Sequence, residues 1–243
     1  MTRRTALILF TTFLPSVLAA ETQTITVNLY DMAGVPEGIL AQAVTLATQI
    51  YAETGVSLKW VPQAPPVWQP GLGISFRPNS SPAEVSLRLV PRAISDRIVR
   101  RGSSKLGLAY DAGQNNYRFF ATVFYDRVEN AAPKLYDVSV PDLLGHVLTH
   151  ELGHLLLGPD AHARGTIMAC PFDTAEFLFL RRGQLRFNKK QAAQLRSLTA
   201  SRINAAKSQI PKPQAALAVV PPSHDARVPE PQQVSRKAPA PAR

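Results

Sequence analysis

The chain has one cysteine, Cys170, in 243 residues, so no internal disulfide is open to it and its fold rests on burial and hydrogen bonding. Long apolar runs are equally scarce. Beyond the first twenty residues, no segment is apolar for long enough to cross a bilayer. The chain is basic, with 27 Lys and Arg against 17 Asp and Glu for a net charge of +10, yet it lacks any dense Lys/Arg block with interleaved aromatics. Nucleic acid is therefore not an expected partner. Internal repeats are also missing, which excludes an array of short stacked units.

The first twenty residues have the layout of a signal peptide. Arg3 and Arg4 precede an apolar stretch from Ala6 to Leu18, and Val17-Leu-Ala19 or Leu18-Ala-Ala20 offers a small-residue cleavage site. The stretch is short for a membrane span and contains Pro15, and no cysteine stands at the cleavage site to carry a lipid. The expected location is secreted or periplasmic. No stretch between this segment and the first expected strand is long enough for an inhibitory propeptide. At the other end, residues 211–243 hold eight prolines in thirty-three positions, among alanine, glutamine and isolated charges. That composition cannot bury enough surface to fold. The tail carries net +3 and residues 1–20 carry +2, which leaves +5 spread over 21–210. The expected organisation is thus a signal peptide at 1–20, one folded domain at 21–210 and an extended tail at 211–243. A loose contact of the tail with anionic envelope surfaces is its mildest expected role.

The histidines are concentrated. Four of five (His146, His150, His154, His162) fall within seventeen residues, and the fifth, His224, lies in the tail. The segment Pro141 to Leu157 reads as a helix: proline at a plausible first position, Asp142 in the first turn, and Leu144, Leu148, Leu152 and Leu155 at helical spacing. Gly158 and Pro159 stop it. Within it, His150-Glu151-Leu152-Gly153-His154 has the pattern H-E-x-x-H. Residues i and i+4 share a helix face, about 6 Å apart at Cβ, so two imidazoles reach one ion. Glu151 lies beside them as the expected general base, placed to take a proton from a water whose pKa zinc lowers to about 7.

A hydrolytic zinc site needs a third protein ligand and an open fourth position. Asp160, His162 and Glu176 follow His154 by six, eight and twenty-two residues. Glu176 stands at the distance of a ligand on a second helix, but Gly158, Pro159, Gly165 and Pro171 make the intervening stretch a poor helix.

From His150 to Met168 the chain resembles a metzincin-type zinc metallopeptidase, and is similar to predicted secreted bacterial zincins with H-E-L-G-H-L-L-L-G, a further histidine and a G-I-M-like turn. Gly165-Thr-Ile-Met168 looks like the Met-turn that lies beneath the metal in that family. The pattern departs at Leu157, which replaces the usual turn glycine; Gly158 comes one residue late, and Asp160 occupies the standard third-ligand position. A later glycine implies a longer loop, and the similar group keeps the histidine, so the expected ligands are His150, His154 and His162, with Asp160 as the alternative third. The expected cofactor is Zn2+.

Blander readings apply to the neighbours. His146 completes an i, i+4, i+8 ladder, but Val147 follows it where a base would be needed, so helix packing or support of the ligands is its expected role. Met168 alone would be an ordinary core residue. Cys170, unpaired in an exported chain, is expected to be buried and inert, a thiolate near the metal being the lesser reading.

Thr24 to Tyr30 alternates as a strand, Pro36 to Thr54 presents Ile39, Ala43, Ala47 and Ile50 on one helical face, and Val56 to Val61 reads as a second strand. Glu84 to Val90, Leu106 to Tyr110 and Phe119 to Tyr125 are further strands, and Asn188 is placed to cap a helix from Lys189 to about Ala206. The expected fold class is α+β: zincin-like, a mixed β-sheet with an active-site helix and a small C-terminal helical part. The resemblance implies that an edge strand, Phe119–Tyr125 or Leu106–Tyr110, pairs with an extended peptide substrate. The expected function is peptide-bond hydrolysis; the alternative is a catalytically silent zinc-binding or cell-envelope interaction module.

Overall fold

The computed structural model of the protein describes residues 23–64, 68–69, 73–74, 79, 81–99, 103–110, 120–135, 138–172 and 174–209. The expected signal segment and tail lie outside the described residues, as does Phe119. Strand β1 (Gln23–Asp31) leads through helix α1 (Glu37–Ala52) to β2 (Val56–Gln63). A short antiparallel pair, β3 (Trp68–Gln69) and β4 (Gly73–Ile74), precedes β5 (Glu84–Val90), α2 (Arg92–Ile98), β6 (Gly107–Tyr110) and β7 (Phe120–Phe124). Helix α3 (Tyr125–Ala131), a 3-10 turn (Ala132–Lys134), α4 (Val140–Leu157), α5 (Thr174–Arg181) and α6 (Lys189–Gln209) complete the chain order.

The main sheet has the order β2-β1-β5-β7-β6, with the first four strands parallel and β6 antiparallel to β7. The fold is α+β with a mixed sheet, as the sequence leads one to expect. Alternation explains β1, whose Ile25, Val27 and Leu29 are all buried while Thr24, Thr26 and Asn28 alternate with them on the less buried side. The two candidate edges resolve differently. Among the described strands β6 is an edge, whereas β7 lies inside the sheet between β5 and β6, and Tyr125 opens α3 rather than ending the strand.

Helix α4 runs against β6, β7, α1 and α6. Its approach to α1 depends on Gly145: a Cβ there would stand 2.9 Å from Leu46 Cδ2 and 3.0 Å from the Ala43 carbonyl. One turn on, the buried Tyr51 hydroxyl donates to the Thr149 carbonyl at 3.2 Å, tying the two helices by a polar bond in an apolar interface. From α6, the buried Arg202 donates through Nη2 to the Leu155 carbonyl at 2.6 Å. That carbonyl lies in the last turn of α4, where intrahelical donors run out and a cation is favoured. Helix α6 opens with a reciprocal cap: the Asn188 Oδ1 accepts from the Gln191 N–H at 2.9 Å, and the Gln191 Oε1 accepts from the Asn188 N–H at 3.0 Å.

The α1–α4 contact yields a stability prediction. Gly145→Val overpacks it against a backbone carbonyl and should destabilise by about 1–3 kcal/mol. Gly38→Ala, in α1 with nothing within 4 Å of the added methyl, should be neutral or stabilise by up to about 1 kcal/mol. Urea denaturation followed by circular dichroism checks both, and equal effects from the two substitutions would show that the close approach at Gly145 does not limit packing.

Candidate metal centre

The ends of α4 are fixed by local chemistry. Ser139 Oγ accepts from the Asp142 N–H at 3.2 Å and donates to Asp142 Oδ2 at 2.6 Å, capping a first turn that also holds Pro141. At the other end Gly158 adopts φ 103°, a backbone conformation that other residues rarely take, and its N–H donates to the His154 carbonyl at 3.1 Å. The chain therefore leaves the helix one turn after His154 and doubles back across the face that carries His150 and His154.

Both histidines have a fixed tautomer. His150 Nδ1 lies 2.9 Å from the Ile167 carbonyl and His154 Nδ1 lies 3.1 Å from the Gly158 carbonyl. A carbonyl only accepts, so each Nδ1 carries the proton and in the neutral ring each Nε2 is the accepting nitrogen. Those two Nε2 atoms are 3.1 Å apart, and neither has a proton to give the other. Two nitrogens held at about 2.05 Å on one tetrahedral ion are separated by about 3.3 Å, so the spacing suits a shared cation. Burial lowers the His150 pKa to about 4, against the opposing bond to Ile167, with the charges of His154 and His162 acting in the same direction as burial. His150 is thus neutral at physiological pH, which is the ligating form.

The loop after Gly158 brings in the third ring. His162 lies with its ring centroid 4.6 Å from that of His154 and 5.7 Å from that of His150, and one ligand atom from each of the three histidines falls within 4.8 Å of the others. His162 is exposed, so the cluster opens to solvent on its side. Among the described residues Asp160 is exposed and outside this cluster. Glu176 is also outside it: buried on α5, it accepts from the Gly165 N–H at 2.8 Å.

The segment around Gly165 forms a tight turn under the histidines. Thr166 Oγ1 donates to the Ala163 carbonyl at 2.7 Å and accepts from the Met168 N–H at 3.1 Å, while the Ala163 N–H donates to the Met168 carbonyl at 3.2 Å. Gly165 takes φ 68° to make this turn. Met168 is fully buried against Gly153 of α4, whose missing Cβ would overlap its sulfur. The carbonyl that orients His150 belongs to this turn, at Ile167, and the Ile167 N–H is in turn held by the Arg186 carbonyl at 2.9 Å. Phe172 stands edge-on to the His150 ring at 5.9 Å between centroids.

Glu151 is 5% exposed and its Oε2 has no hydrogen-bond partner among the described residues. Burial raises its pKa to about 8, against the pull of the Lys105 charge. A buried carboxyl oxygen without a partner fits a site that receives a cation or a water held by one, since without either it carries an uncompensated desolvation penalty. Gly107 of β6 makes room for it: a Cβ there would fall 2.5 Å from Glu151 Oε1. The sequence reading missed Gly107, because a close approach between positions so far apart in the chain leaves no local signal.

The remaining candidates fall outside the cluster. His146 is buried within α4, its Nδ1 donating to the Asp142 carbonyl at 2.7 Å, and burial lowers its pKa. Its Nε2 is buried with no hydrogen-bond partner among the described residues. Cys170 is exposed, contrary to the buried thiol expected, because the chain emerges to the surface just after the turn that buries Ile167, Met168 and Ala169.

If this cluster binds a divalent ion, zinc at a thousandfold excess over its dissociation constant should stabilise the fold by about 4 kcal/mol. Thermal denaturation with and without chelator measures this. His150→Ala and His154→Ala should abolish the shift, and Asp160→Asn should keep most of it; a full shift in either alanine variant would place the ion elsewhere.

No protein-family profile matches the sequence, and no curated protein matches it. Among solved structures the chain is similar to an archaemetzincin from Methanopyrus kandleri, at 16% identity and a TM-score of 0.47, covering 75% of this chain and 99% of that one.

Proposed function

We propose that the chain is a zinc-dependent metallopeptidase of the zincin kind that hydrolyses peptide bonds within proteins or peptides, using His150, His154 and His162 to hold zinc and Glu151 as general base. The observation that supports this most is the pairing of two oriented imidazoles with the buried Glu151 carboxyl group, whose Oε2 has no hydrogen-bond partner among the described residues. A purely structural zinc site has no use for a carboxylate beside it that does not ligate. When bound, zinc supplies Lewis acidity, lowering the pKa of a water to about 7 and polarising a carbonyl. Glu151 accepts the proton of the attacking water and delivers it to the leaving amine. Burial raises the Glu151 pKa, which makes its carboxylate a stronger base, and a bound cation would pull that pKa down again and keep the group ionised to accept the proton.

Strand β6 supports an extended peptide as substrate. It is the sheet edge nearest Glu151, it carries Gly107 directly against that carboxylate, and an edge strand offers unpaired backbone groups to a peptide running beside it. We further propose that the enzyme acts outside the cytoplasm, from the signal-like residues 1–20, and that the basic tail 211–243 gives at most a weak attraction to anionic envelope surfaces.

Glu151→Gln keeps the size of the side chain and removes the base. The variant should bind about one zinc per chain and lose turnover on a peptide library by on the order of a hundredfold or more. A zinc-loaded wild-type protein that cleaves no peptide in that library would favour the silent binding module instead. Removing residues 211–243 should leave cleavage intact and weaken adsorption to anionic vesicles.

A further inference from the structure

The third histidine is exposed, yet a useful ligand must be held where the other two meet. We infer that Gln191, at the start of α6, is the positioning residue for His162; this deepens the zinc-site reading above and rests on it. Gln191 is buried, and its amide is fully used. Oε1 closes the cap with the Asn188 N–H, and Nε2 donates to the Ala161 carbonyl at 3.0 Å, the residue immediately before His162. A weaker contact of the same Nε2 reaches Thr166 Oγ1 at 3.5 Å, within the turn beneath the site. On the other side of His162, the Ala163 N–H is held by the Met168 carbonyl at 3.2 Å. The ligand is thus bracketed by two backbone bonds, one anchored to a helix start and one to the Met168 turn.

The amide is needed as an amide. Its oxygen must accept from the Asn188 N–H while its nitrogen donates to Ala161, so a glutamate keeps the first bond, loses the second and sets a carboxylate oxygen against a carbonyl. A Met at the same place removes both without adding charge. Asn188→Ala is the complementary change: it loosens the cap and leaves the Nε2 bond to Ala161 in place.

The test is a double-mutant cycle on the full chain, reading zinc affinity by competition with a chromophoric chelator alongside the melting temperature of the metal-free protein. Gln191→Glu and Gln191→Met should each weaken zinc binding by about ten- to hundredfold, the range of changes one step removed from the metal. In a His162→Ala background the same changes should have an effect of less than about threefold, because the group they position is gone. Asn188→Ala should lower the melting temperature and leave zinc affinity unchanged. Near wild-type affinity in both Gln191 variants, or a penalty that persists in full without His162, would overturn the inference while leaving the zinc site standing. Wild-type affinity in His162→Ala alone would instead show that His162 is not a ligand, and both readings would fall.

Discussion

Two backbone hydrogen bonds carry most of the weight of this site: the Ile167 carbonyl on His150 Nδ1 and the Gly158 carbonyl on His154 Nδ1. A histidine free to choose its tautomer presents a ligating nitrogen only part of the time. Here each carbonyl commits the proton to the Nδ1 that faces it, and the two Nε2 atoms converge from successive turns of one helix. Everything else can be read as support for where those two carbonyls stand. Gly158 places its own carbonyl by taking a left-handed φ at the helix end, and the turn at 163–169 places that of Ile167 by closing on itself through Thr166.

The support reaches well into the fold. Glu176 on α5 holds the Gly165 N–H, Arg186 holds the Ile167 N–H, and the guanidinium of Arg186 is itself paired with Glu53 beyond the end of α1 at 2.8 Å. Buried Arg202 on α6 takes up a carbonyl of the last turn of α4. The Met168 side chain fills the space under α4 that Gly153 leaves open. Apolar burial supplies the bulk stability of such a domain, while these polar bonds decide where the imidazole nitrogens sit. Buried Glu151 differs from His150 and His154 in that its Oε2 has no hydrogen-bond partner among the described residues.

Much of this was legible along the chain because it is local. The i, i+4 spacing of His150 and His154, the stop at Gly158-Pro159, the alternation of β1 and the cap at Asn188 are each encoded within a few residues. What escaped is set by contacts distant in sequence. Gly107 reads as an unremarked glycine until β6 folds against Glu151, and Glu176 reads as a candidate third ligand until α5 brings it to the Gly165 N–H instead. Pairing order in a sheet is likewise a choice among strands of similar apolar content, so the place of β7 inside the sheet and of β6 at its edge could not be decided from pattern. Tyr125 continued an apolar run that looked like strand, but the chain turns into α3 there and Tyr125 is buried from the helix instead.

X-ray absorption at the zinc edge of the purified, zinc-loaded protein reads the donor atoms directly. The account predicts a four-coordinate shell of three imidazole nitrogens and one oxygen at about 2.0–2.1 Å, with the outer-ring scattering of three histidines. A sulfur shell near 2.3 Å, which would bring in Cys170, or a shell with fewer than two imidazoles, would contradict it.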